Sequence, residues 1–205
     1  GSGTSYVFSE EEYIRSLDYG WRLGATNNAD THSTYWGTNT EHRTGAWMPG
    51  LTKDDLMEAL RARRTFATED RNYALQMKAN GAWMGAEIAN TGQIAFDIQG
   101  EDPDGEPTAV VQLIGHGGQV LAEETPNSAT FAWQPVLDIT PGVHYYYVKA
   151  VQPDGDRIVS SPVWTLGTED VSISDLTVQP SIPTIYNPSL LTARVTNRGP
   201  SAHAL

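Results

Sequence analysis

Apolar and polar positions change rhythm twice along the chain. Up to about residue 70 the spacing is helical in two places. Tyr13, Ile14 and Leu17 share one helical face, and Ser9-Glu10-Glu11-Glu12 before them forms a capping box, with Ser9 accepting an amide proton and Glu12 reaching back. Gly20 supplies a left-handed stop. Trp21 to Asn28 reads as a short apolar strand running into polar residues, and a Thr-, Asn- and Gly-rich loop covers about 31–50. A second helix begins after Thr52, with Asp54 and Asp55 in its first turn and Leu56, Met57, Ala59 and Leu60 as its predicted buried stripe. Helix, strand, loop and helix in this order suit part of an α/β barrel or layered sheet.

From about residue 72 the period shortens to two. Strands are predicted at Tyr73–Ala79, Ile94–Ile98, Ala109–Ile114, Ala129–Gln134, Val143–Val151 and Ile158–Leu166. Turn residues separate them at the intervals of an Ig-like sandwich. Asp102-Pro103-Asp104-Gly105 and Pro153-Asp154-Gly155-Asp156 have tight-turn chemistry. Each also resembles the opening of a calcium loop but lacks the later ligands and distal glutamate of that motif. In His144-Tyr145-Tyr146-Tyr147-Val148-Lys149 aromatics fall on both faces of one strand, and one tyrosine is a candidate for a sandwich-corner hydroxyl. Beyond about 170, Val171–Val178 and Leu190–Asn197 alternate like two more strands, which cannot bury a core alone. The expected fold class is α+β: a partial α/β portion over 1–70, an Ig-like β-sandwich over 71–168, and an incomplete β-module or tail over 169–205.

Charge narrows the partners. The net charge of −12 opposes a nucleic-acid backbone, and the one basic cluster, Arg61, Arg63 and Arg64, fits the cationic end of a helix. The chain has no cysteine, which removes disulfides and thiolate metal sites. No apolar run approaches the roughly 20 residues of a membrane span, and the first residues carry no leader pattern.

The candidate chemistry is at Asp30-Thr31-His32. In extended backbone, residues i and i+2 project to one side, so a carboxylate oxygen and an imidazole nitrogen can converge on one cation. Mixed oxygen and nitrogen ligation suits zinc, manganese or iron. The same tripeptide also reads as a loop carboxylate capping a turn beside a surface histidine. His42 is near enough in sequence to be a further ligand. Of the aromatics, Tyr35 and Trp36, in a polar loop, are predicted exposed, while Trp47, Trp83, Trp133 and Trp164 are predicted to fill cores.

The run from Gly20 through Trp21-Arg22-Leu23-Gly24-Ala25-Thr26-Asn27-Asn28-Ala29 to Asp30-Thr31-His32 resembles the final metal-binding strand of PHP (polymerase and histidinol phosphatase) metallohydrolases. His42-Arg43-Thr44-Gly45 resembles the stretch that follows it, and Leu56 to Thr68 resembles the family's closing helix and strand. Ser161-Pro162-Val163-Trp164 lies in a segment similar to an appended Ig-like domain, and the last residues resemble the opening of a bacterial cell-adhesion-related Ig-like module. The resemblance covers about residues 10–168.

It implies the C-terminal portion of a distorted (β/α) barrel that uses divalent metals to activate water against phosphoesters. Asp30 and His32 would be metal ligands, Arg43 and Arg64 substrate or structural contacts, and the parent protein extracytoplasmic or at the cell surface. The family's upstream His-x-His, His and Glu motifs do not occur here, and Arg63 stands where the family has glycine. Two ligands are fewer than the three that catalytic zinc uses. The expectation is therefore a metallohydrolase fragment that is inactive alone and is completed by the missing barrel portion or by another copy through the terminal strands. The alternative is a β-sandwich module for adhesion, carbohydrate binding or self-assembly.

Overall fold

The computed structural model describes residues 10–167, 171–179 and 190–197. Helix α1 spans Glu10–Asp18; Ser9, its predicted cap, lies outside the described residues. Its end follows the expectation. Gly20 sits at φ 87, its amide bonds the Leu17 carbonyl, and the Trp21 amide reaches back to the Ser16 carbonyl at 3.1 Å. Only a residue without Cβ enters that region freely. Strand β1 is Arg43–Ala46 and helix α2 is Lys53–Arg61. Thr52 caps α2 from extended backbone, its side chain accepting from the Asp55 amide at 3.1 Å.

The remaining strands are short. They are β2 Thr65–Thr68, β3 Ala74–Ala79, β4 Ala82–Trp83, β5 Glu87–Ala89, β6 Gln93–Glu101, β7 Val110–Ile114 and β8 Val120–Glu124. There follow β9 Thr130–Trp133, β10 Val136–Asp138, β11 Tyr145–Val151, β12 Arg157–Ser160, β13 Val163–Leu166, β14 Val171–Gln179 and β15 Leu190–Asn197. The run expected as one strand over Ile158–Leu166 is broken at Ser161-Pro162, because proline has no amide to give to a ladder.

Two sheets face each other. An eight-stranded sheet runs β1-β2-β12-β11-β13-β5, with β7 on the other side of β11 and β8 beyond it. A five-stranded sheet runs β10-β6-β3-β4, with β9 also on β6. Leu75, Met77, Ile94, Ile98, Val111, Leu113, Val148 and Ile158 are fully buried between them. β14 and β15 pair with each other as an antiparallel hairpin.

The larger sheet is covered on both faces. Along β11, Tyr146, Val148 and Ala150 point into the sandwich, while Tyr145 and Tyr147 point outward into a second cluster with Leu17, Ala25, Ala67, Val159 and Trp164. α1 lies on that outer cluster through Leu17, Tyr13 and Ile14. Aromatics therefore sit on both faces of β11, as its sequence predicts. Their hydroxyls serve α1 rather than a sandwich corner: Tyr145 bonds Asp18 and Tyr147 bonds Glu10.

This corrects the expected fold class. The described chain is predominantly β, with two α-helices and sheets that are antiparallel except where β5 pairs parallel with β13, and an α/β-barrel portion is not seen over the first 70 residues. β2 pairs antiparallel with β1 on one side and β12 on the other. The segment expected as a strand, Trp21 to Asn28, joins no ladder. The physical reason lies in β2, which is buried along its whole length. Burial on both faces is common to a barrel strand under helices and to a strand with a sheet on one face and a helix on the other, so it does not separate the two. The stripe expected on α2 is also corrected. Ala59 is buried, but Leu56, Met57 and Leu60 are each about 40% exposed.

Candidate functional site

An extended segment, 21–30, carries the candidate residues over the outer face of the larger sheet. Side chains hold it where ladder bonds do not. The Ala25 amide donates to Ser161 Oγ at 2.8 Å. Thr44 Oγ1 accepts from the Asn27 amide at 2.9 Å and donates to the Asn27 carbonyl at 2.6 Å. The Asn27 carboxamide donates to the Thr68 carbonyl at 3.0 Å. Gly24 packs closely here: a Cβ would lie 3.0 Å from Thr65 Oγ1 and 3.1 Å from Ser161 Oγ, so a side chain would have to displace those hydroxyls by a few tenths of an ångström.

Asp30 follows this anchored stretch at φ 45, with its amide donating to Asn28 Oδ1 at 2.8 Å. Aspartate tolerates this left-handed conformation better than most side chains. The turn brings Asp30 Oδ1 within 3.3 Å of His32 Nε2, both side chains being open to solvent. The loop beyond closes on itself. Trp36 Nε1 donates to the Thr31 carbonyl at 3.2 Å, and Thr31 Oγ1 donates to Asn39 Oδ1 at 2.8 Å.

Asp30 and His42 both line an open cleft of about 690 Å³ between α1, the 23–28 segment and the outer face of the larger sheet, together with Glu12, Tyr13, Asn27 and Glu69. His32 is not among its lining residues. Burial, and then the neighbouring Tyr145, pushes the Tyr13 hydroxyl up, so it is a neutral group in the cleft at ordinary pH. Its hydroxyl points to the Leu23 carbonyl at 3.4 Å. Glu69 is held by Arg157, which donates from Nε at 2.9 Å, from its terminal nitrogen at 2.8 Å and from its amide at 2.9 Å.

The two arginines are engaged within the fold. Arg43 donates to the carbonyls of Gly37, Thr40 and His42 at 2.7–2.9 Å, closing the loop beneath Trp36. Arg64 pairs with Glu58 of α2, and its Nε is buried without a hydrogen-bond partner. Arg63 occupies the left-handed position after α2, at φ 55, where glycine is usual. Its guanidinium donates twice to the Gly85 carbonyl, at 2.9 and 3.1 Å, and lies over the Trp164 ring.

Asp30, His32 and His42 do not draw their ligand atoms into one three-ligand set. Among the described residues the group that does so is Asp70, Asp102 and Glu106. Sequence reasoning passed over Glu12 and Glu69 in the cleft. Glu69 stands one residue beyond the buried strand β2. The remaining histidines are structural in their contacts: His116 Nδ1 lies 3.0 Å from Asp18 Oδ1, and His144 Nε2 lies 3.1 Å from the Thr140 carbonyl. His203 lies outside the described residues.

The fold and site define a β-sandwich with a helix and an extended segment laid on its outer face. No family model matches the chain. It is similar to a protein of Chlamydia muridarum (strain MoPn / Nigg), 23% identical over 173 residues, covering 73% of this chain and 27% of that protein. A Chlamydia trachomatis serovar D protein is 24% identical over 185 residues, with the same two shares covered. Both are described as uncharacterized proteins. The chain thus spans about a quarter of the length of the curated relatives it matches.

Proposed function

We propose that this chain is one part of a longer metal-dependent hydrolase of the phosphoesterase type, to which it contributes Asp30 and His32 as metal ligands. The observation that carries the reading is the 3.3 Å approach of His32 Nε2 to Asp30 Oδ1 at the end of an anchored segment. One oxygen and one nitrogen donor presented together are the donor types that zinc, manganese and iron take, and Asp30 also shares a cleft with His42. In such a centre the metal lowers the pKa of bound water and stabilises negative charge on the phosphoryl oxygens. Asp30 and His32 would hold and orient it, and Asn28, by fixing the Asp30 amide, would set the carboxylate's direction.

Two protein ligands leave the centre incomplete, and the rest of the longer protein supplies the others in this reading. That same remainder covers the apolar side of α2, where Leu51 is 94% exposed beside Leu56, Met57 and Leu60. The test is metal binding and phosphodiester hydrolysis by the 205-residue chain with added zinc, manganese or iron, against Asp30→Ala/His32→Ala. Weak binding lost in the double variant, with no turnover, is the expected result. Binding identical in both proteins overturns the assignment.

A second reading rests on Tyr35 and Trp36, which are 66% and 76% exposed on the loop beside Asp30. Exposed neighbouring rings fit the apolar face of a sugar. Retention on immobilised polysaccharide that Trp36→Ala abolishes, with no metal bound, would favour a carbohydrate-binding module over the hydrolase part.

A further inference from the structure

Three carboxylates meet on the loops after β2 and β6, next in sequence to Glu69 of the cleft but not among the cleft's lining residues. The ligand oxygens of Asp70, Asp102 and Glu106 all lie within 4.8 Å of one another. Asp70 comes from the loop between β2 and β3, Asp102 from the end of β6, and Glu106 from just beyond the turn that Asp102 opens. The tight-turn reading of Asp102-Pro103-Asp104-Gly105 is met: the Gly105 amide donates to the Asp102 carbonyl at 3.2 Å, and the Asp104 amide donates to Asp102 Oδ1 at 2.8 Å. That turn lacks the later ligands of a calcium loop in sequence. The tertiary structure brings oxygen donors to it from other loops instead.

A second observation points to a ligand at this place. Gln152, just past β11, is 2% exposed, and Asp102 is 3% exposed. Gln152 Nε2 donates to Asp102 Oδ2 at 2.7 Å, which holds the carboxamide against the cluster. The carbonyl oxygen of that same amide, Gln152 Oε1, is buried with no hydrogen-bond partner. An unsatisfied buried carbonyl costs about 1–3 kcal/mol, and a cation bound there would satisfy it. Asp70 Oδ1 already accepts from the amides of Asn72 and Tyr73, at 2.7 and 2.9 Å, which orients that carboxylate.

Crowding of like charge accompanies this arrangement. Burial, then the carboxylates of Asp154 and Asp102, push the Glu106 carboxyl above its ordinary value. Every available donor is a hard oxygen, and they come from three separate loops rather than from one octahedral cage. Such a set suits calcium, which takes six to eight oxygens in irregular geometry, better than magnesium, which demands near-ideal octahedra.

We propose that Asp70, Asp102 and Glu106, with the Gln152 side-chain carbonyl, form a calcium site that ties together the β2–β3 loop, the turn after β6 and the turn after β11. The site is independent of Asp30 and His32.

The experiment is calorimetric titration of calcium chloride into the chelator-treated chain, paired with thermal unfolding in calcium and in magnesium. One saturable site is expected, with a Kd of about 10⁻⁴–10⁻³ M, in the range of open extracellular modules. Glu106→Gln, at a partly exposed position that leaves the fold intact in chelator, should weaken binding at least about ten-fold, as loss of one charged ligand does. Asp70→Asn provides a second variant with the same expectation, and Asp138→Asn, on β10, should leave binding unchanged. Absence of saturable binding up to about 10 mM calcium, ten-fold above the weakest such sites, overturns the proposal. So does equal stabilisation by magnesium and calcium that Glu106→Gln leaves intact, which would be screening of the acidic surface.

Discussion

Tyr145 donates its hydroxyl proton to Asp18 Oδ1 at 2.7 Å, joining the middle strand of the larger sheet to the last residue of α1 across 127 positions of sequence. The Gly117 amide donates to the same oxygen at 3.0 Å, and His116 Nδ1 approaches it equally closely. Asp18 is therefore the point at which the helix, the β7–β8 turn and β11 are held together.

The first prediction concerns that carboxylate and pH. Burial pushes the Asp18 carboxyl up, but the Gly117 amide, the Tyr145 hydroxyl and His116 outweigh it, and the net value is lowered. A depressed aspartate contributes in full above its unfolded value of ~3.9 and loses that contribution as pH falls through its lower folded value. Asp18→Asn should therefore be less stable than the parent at pH 6, with the gap closing below pH ~3.9 in denaturant titrations. Tyr145→Phe should cost about 1.5–3 kcal/mol at pH 6, the range for a hydrogen bond to a charged group.

Arg157 and Glu69 form the second test. The pair is bidentate, and the Glu69 side chain is only 12% exposed. Its hydrogen bonds to Glu69 are the main reason the Arg157 guanidinium is held above its ordinary value. Glu69→Ala should destabilise by about 2–4 kcal/mol, toward the range for breaking a buried pair. Glu69→Gln, which keeps one acceptor, should lose less. Urea unfolding of the two variants reads the difference.

At Arg63 two effects can be separated. Arg63→Ala removes the guanidinium bonds to Gly85 and keeps the left-handed backbone, whereas Arg63→Gly removes the bonds and relieves the backbone. The glycine variant should be the more stable of the two by about 1 kcal/mol. Equal unfolding midpoints would mean that the conformation carries no strain.

Ser161 links the sandwich to the candidate site. It is fully buried, and its Oγ accepts from the Ala25 amide and meets Thr65 Oγ1 at 3.1 Å. Ser161→Ala leaves that amide unsatisfied, with an expected loss of about 1–3 kcal/mol. Faster amide hydrogen exchange should be confined to residues 21–30. Uniform acceleration across the sandwich would show that Ser161 serves the core instead.

Local chemistry was legible in the chain wherever one residue type decides a conformation. Gly20 ends α1, Thr52 opens α2, Gly105 turns the chain after β6, and the alternation over 74–166 marks the main sandwich strands. The short strands β4, β5 and β10 escaped notice, because two or three residues hold too little alternation to stand above background, as did β1, within the run read as a loop, and the five-residue β8, which ends in Glu123-Glu124. At the candidate site, the sequence placed a strand over 21–28, and the structure has there a segment that joins no ladder and ends at a left-handed Asp30. Its attachment was not legible, because Ser161 and Thr44 replace the ladder partners a strand would need.

The sequence by itself determined the stop at Gly20, the cap at Thr52, the turn at Gly105 and the two-residue rhythm of the sandwich. Each of these follows from bonding within a few residues. The approach of Asp30 to His32 comes from a left-handed Asp30 and not from the extended backbone expected from the sequence. Tertiary structure alone decided that β2 lies inside an antiparallel sheet, that α1 covers that sheet's outer face, and that Asp70, Asp102 and Glu106 converge. The four residues Thr65-Phe66-Ala67-Thr68 do not state which elements cover their two faces. Partners distant in sequence are selected by packing of the whole core, which no local pattern encodes.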